Sequence, residues 1–109
     1  MMKLPMSAAA AGLLKALLNR AGVDRNRILL IEFRSTAWNS LTFDGERHTV
    51  QLRVPPPDPA TAADALTRGI ADAEFTVPGH VVADIALVGS TTQPDGSILI
   101  ELEALTVAD

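Results

Sequence analysis

Apolar and polar residues alternate through two runs near the end of the chain, HVVADIALV (80–88) and ILIELEALTV (98–107), connected by TTQPDGS. Period-two alternation marks a strand with one buried face. Pro94-Asp95-Gly96 is turn chemistry, so the pattern predicts a β-hairpin from His80 to Val107. Setting Gln93 opposite Ile98 places Val81, Ala83, Ile85 and Leu87 on one face with Ile98, Ile100, Leu102 and Ala104. Asp84 then falls on the other face with Glu101 and Glu103. A three-residue loop would mix the glutamates into the core, so the pattern favours an even connection.

Upstream the period changes. Ala10, Leu13, Leu14, Leu17 and Ala21 recur at helical spacing, Ser7 can cap the start, and Gly22 suits a left-handed end. A helix over residues 8–21 follows. After a polar connector, ILLIEF (28–33) reads as a strand apolar on both faces, with Leu29, Ile31 and Phe33 one way and Ile28, Leu30 and Glu32 the other. Residues 34–39 are expected to turn around Trp38. Leu41 and Phe43 begin a short second strand, and Asp44-Gly45 signals a hairpin turn. RHTVQLRV (47–54) forms a third strand with His48, Val50, Leu52 and Val54 inward. PPPDP (55–59) ends it, because proline cannot donate to the ladder. A second helix is expected over 60–73, burying Ala63, Leu66, Ile70 and Ala73.

The elements sum to an α+β fold of order α-β-β-β-α-β-β, with two helices packed on one face of a mainly antiparallel five-stranded sheet. At 109 residues the chain is one domain, taken as 7–109 behind a disordered tail of residues 1–6. Cysteine is absent, which removes disulfides, thiol catalysis and cysteine-ligated metals. No run spans a bilayer and no signal-peptide cleavage pattern follows the N-terminal apolar stretch, so a cytoplasmic location is expected. The net charge of −4 argues against nucleic acid. Its distribution is uneven, with residues 1–54 at +4 and residues 55–109 at −8.

Candidate chemistry is sparse. Glu32, Asp84, Glu101 and Glu103 share the outer face by parity, and Glu101 and Glu103 stand about 7 Å apart along a strand. Without a pocket they read as a solvated face. Parity sends His48 inward and His80 outward, so they share no metal. Arg34, Trp38, Arg53 and His80 are the candidates for a ligand rim. No nucleophile elbow, phosphate loop or dinucleotide fingerprint occurs, so neither a catalytic residue, a cofactor nor a metal is assigned.

Ile28, Leu30, Val82, Val88 and Leu99 project among the acids Glu101 and Glu103 on a face that two helices on the other side cannot cover. A patch of that kind marks an interface. The expected function is therefore a small interaction module, homodimeric or partner-binding, with no catalytic motif. The alternative is a small-ligand domain or minor enzyme with a site near Trp38 and the outer carboxylates. In element order the chain resembles the type III secretion chaperones, which are small, acidic and dimeric. That resemblance covers architecture alone, without the final helix of that fold, and implies a chaperone-like hold on a protein partner.

Overall fold

Ser7 opens helix α1 (Ala8–Ala21) by accepting a hydrogen bond from the Ala10 amide at 3.1 Å, and Gly22 closes it in the left-handed conformation. The structure is a computed structural model that describes residues 6–109, so nearly all of the expected tail lies outside it. Helix α1 buries Ala9, Ala10, Leu13, Leu17 and Ala21, the stripe its periodicity predicts with Ala9 added and Leu14 only half-buried. Strand β1 (Leu29–Asn39) pairs with β2 (Asp44–Val54), helix α2 (Pro59–Thr67) crosses back, and β3 (His80–Thr92) pairs with β4 (Ile98–Ala108). The two hairpins join through β2 and β4, giving one antiparallel sheet of order β1-β2-β4-β3.

The sheet thus has four strands, not five, and the order is α-β-β-α-β-β. The expected turn around Trp38 does not form; β1 runs straight through it. The chain reverses instead at Ser40–Phe43, where the Ser40 amide donates to the Phe43 carbonyl at 2.9 Å. The Ser40 hydroxyl accepts from the amides of Thr42 and Phe43, so a serine supplies the turn chemistry expected of Asp44-Gly45. Leu41, expected on the inner face, is fully exposed at the tip. With the third strand of the meander gone, the element order behind the resemblance to secretion chaperones goes with it.

Helix α2 is shorter than predicted. Gly69 takes a positive φ of 63° and ends the helical run, and a single 3-10 turn (Ile70–Asp72) carries Ile70 into the core.

The second hairpin corrects the predicted register. Gln93 donates to the Ser97 carbonyl at 2.7 Å and accepts from the Gly96 amide at 2.9 Å, which makes the three-residue loop Pro94-Asp95-Gly96. Gly96 sits at φ 89°, the left-handed position such loops require. A bulge in β3 between Leu87 and Gly89 restores the parity this odd loop disturbs, and a second between Val82 and Asp84 reverses it again for His80, Val81 and Val82. Each inserts one unpaired residue, and after the first Asp84 pairs with Leu105 on the outward face that Glu101 and Glu103 share.

Both helices contribute to one core with the inward residues of the central strands. Leu13, Leu17 and Leu66 meet Val50, Leu52, Ile100 and Leu102, all without exposed surface. Arginines tie the layers together. Arg20 donates to the carbonyls of Leu66 and Arg68, unsatisfied groups at the end of α2, and Arg27 donates to Pro57. The molecule is 22 Å thick in its thinnest direction, as a helix layer on a sheet requires.

Candidate functional site

Alternation along β2 and β4 sends every second side chain into the helix-covered core and leaves the others on a face that no helix covers. Across β1, β2, β4 and β3, that open face presents five rows. These are Leu29–Arg53–Leu99–Thr91, Glu32–Gln51–Glu101–Gly89, Arg34–Thr49–Glu103–Ala86, Thr36–Arg47–Leu105–Asp84 and Trp38–Gly45–Val107–Val81. Apart from Arg53, the charged residues occupy the three middle rows, and Leu29, Leu99, Trp38, Val107 and Val81 lie in the two end rows. Leu29, Ile31, Val81 and Val88 are 43–51% exposed.

The structure redistributes several residues expected on this face. Leu99, Glu101 and Glu103 do lie on it. Ile28, just before β1, is 6% exposed and belongs to the core. Leu30 pairs with Leu52, and Val82 pairs with the buried Thr106, so both point inward. Bulges explain Leu30 and Val82: the irregularity between Leu30 and Glu32, like those in β3, exchanges the faces of the residues on one side of it. Val88 is itself the inserted residue of a bulge.

Arg34, Trp38, Arg53 and His80 do not share a site. Trp38 and Arg53 lie at opposite ends of the open face, roughly 26 Å apart along β2 at ~3.3 Å per residue. His80 pairs with Ala108 on the helix side, the same side as His48, and its Nδ1 lies 3.0 Å from the Pro78 carbonyl. Trp38 lies across Gly45, where a Cβ would stand 2.6 Å from the Thr106 carbonyl and 3.3 Å from the indole. An aromatic side chain thus covers a glycine that the close approach of neighbouring backbone demands.

Charges on the face are only partly matched within the chain. Arg34 pairs with Glu32 at 3.3 Å, and the Gln51 amide donates to Glu101 at 3.3 Å. Arg53 holds Asp95 and, through Nε, the Ser97 hydroxyl at 3.0 Å. Hydrogen bonds from the hydroxyl and amide of Ser97, ahead of the Arg53 charge, hold the Asp95 carboxyl below its ordinary value. Among the described residues no ion pair reaches Arg47, Asp84 or Glu103.

The helix side contains a polar chain that the sequence reading missed. The Ser35 hydroxyl lies 2.7 Å from Nδ1 of His48, and Nε2 lies 2.9 Å from the Thr106 hydroxyl. His48 and Thr106 are fully buried. Burial pulls the His48 imidazole below 6.5; the nearby Glu46 carboxylate opposes that shift and His80 reinforces it. A neutral ring bonded at both nitrogens satisfies its polar groups within the core. No carboxylate lies in hydrogen-bond contact with this imidazole to steady a charged form. The arrangement therefore stitches β1, β2 and β4 together. Glu46, in the next inward row, accepts from Ser7 at 2.9 Å and anchors the start of α1 to the sheet.

Among the described residues no three His, Asp or Glu side chains gather as a metal site requires, and no helix is long and apolar enough to cross a membrane. Comparison with protein-family models, with curated proteins and with solved structures returned no match.

Proposed function

We propose that the protein is a non-enzymatic interaction module whose working surface is the open face of the sheet, used for self-association or to hold a protein partner. The carrying observation is that face itself: a four-stranded sheet covered on one side, with Leu29, Ile31 and Val81 about half exposed on the other. Apolar surface in that arrangement is stabilised by being covered. The sheet edges offer less, because both outer strands are interrupted by bulges that disfavour strand addition. A cytoplasmic setting accords with the lack of cysteine. A ligand site around Trp38 and the carboxylates has less support, since Trp38 belongs to the Gly45–Val107 row and Glu101 lies three rows away.

Leu99→Asp combined with Leu105→Asp tests the reading, because both side chains point away from the core. Wild-type protein should show a solution mass above the monomer by light scattering, or saturable binding to a purified partner, and the double variant should lose it while keeping its circular dichroism. A monomeric wild type whose partner binding equals that of the variant would sink the proposal.

A further inference from the structure

The open face divides by charge. Its β1–β2 half carries Arg34, Arg47 and Arg53 against the single Glu32, whereas its β4–β3 half carries Glu101, Glu103 and Asp84. Neither β3 nor β4 contains a lysine or an arginine. Resting on the reading above, we propose that the occupant of this face is a second copy of the chain, stacked face to face about a two-fold axis parallel to the strands.

Symmetry makes the choice. Two identical sheets stacked face to face are related by a two-fold axis in the plane between them, and the near-aligned packing of twisted sheets sets that axis close to either the across-strand or the along-strand direction. An axis across the strands sets each strand over its own copy, basic half on basic half and acidic half on acidic half. An axis along the strands sets β1 over β3 of the partner subunit and β2 over its β4, so opposite charges meet. The face is its own electrostatic complement in that orientation alone.

The same rotation keeps each row over its own counterpart, within the ~30° at which twisted sheets cross. Arg34 and Arg47 then approach Asp84 and Glu103 of the partner subunit. Trp38 then lands on the end of the face that carries Val81 and Val107. Four strands at ~4.8 Å spacing and ten residues at ~3.3 Å give a projected footprint of roughly 600 Å². The corrugated surface is larger than its projection and approaches the ~800 Å² each partner contributes to a standard interface.

The test is a charge exchange between two full-length variants. Arg34→Glu with Arg47→Glu leaves Arg53 as the one basic residue of the face and turns its balance acidic; Asp84→Lys with Glu103→Lys leaves Glu32 and Glu101 as its acids and turns its balance basic. Each alone should raise the dimer dissociation constant on the order of 100-fold over wild type. An equimolar mixture should recover a dimer of one subunit of each kind, within about tenfold of wild-type affinity. The single exchanges Arg47→Glu and Glu103→Lys follow the same logic if a double variant unfolds on melting. A wild type that stays monomeric up to millimolar concentration overturns the homodimer. The open-face reading then stands or falls separately, on whether Leu99→Asp with Leu105→Asp still abolishes partner binding. A wild-type dimer with no recovery on mixing folded variants overturns the axis assigned here, and a dimer indifferent to both variants places the contact elsewhere.

Discussion

At the scale of single residues, His48 shows how the chain satisfies a polar group it has buried. Its imidazole is held between two hydroxyls, from Ser35 thirteen residues before it and Thr106 fifty-eight residues after it. The native ring titrates below the ordinary 6.5, so near that pH the unfolded chain binds a proton that the native one does not. The contribution of neutral His48 is therefore complete above pH 6.5 and declines as the pH falls below it. The decline is at most about 1.4 kcal/mol per pH unit, until the native ring protonates too. Denaturant melts between pH 7 and 5 should show that slope in wild type and a flatter one in His48→Gln; equal slopes would remove His48 as the cause. The inward direction of His48 was legible from alternation along β2. Its partners were not, because hydroxyls are common and only the register of three strands brings these two to the ring. His80 was misplaced for the converse reason: its face depends on a bulge.

The elements divide the same way. Helix α1 and the part of β2 from Arg47 to Val54 follow from local pattern, since cap and stripe agree in the one and alternation runs unbroken in the other. The turns do not. Asp44-Gly45 is a strong hairpin signal, yet it lies inside β2 because Ser40 bonds two turn amides and Trp38 covers the glycine. Gly45 is needed there for space rather than for turning. Gly45→Ala should cost roughly 1–3 kcal/mol, because the neighbour a Cβ meets is the Thr106 carbonyl and backbone cannot rotate aside. A thermal melt unchanged by the substitution would contradict the close approach. Alternation argues against a three-residue β3–β4 loop on a sound premise, that glutamates stay out of the core. Alternation along the chain cannot reveal the bulges that meet that premise by another route, since a bulge inserts a residue without a compositional mark. Of the residues expected on the open face, Leu99, Glu101 and Glu103 consequently lie on it, whereas Ile28, Leu30 and Val82 face the helix side.

For the whole molecule, the uneven charge of the sequence takes a spatial form. Basic residues of the first half and acidic residues of the second become two sides of one sheet, because each half supplies one hairpin. The single backbone link between the hairpins runs through the prolines before α2, outside the sheet, while β2 and β4 meet along ten paired positions. A chain cut between Val54 and Pro59 should therefore behave as two recognition partners. Fragments 1–54 and 55–109, mixed, should regain the circular dichroism of the intact protein, drawn together by opposite net charge and held by the central seam. Fragments that stay apart would show that the seam depends on the covalent tether. Reassembly would make the protein a natural two-piece reporter, with its break point written in the proline connector.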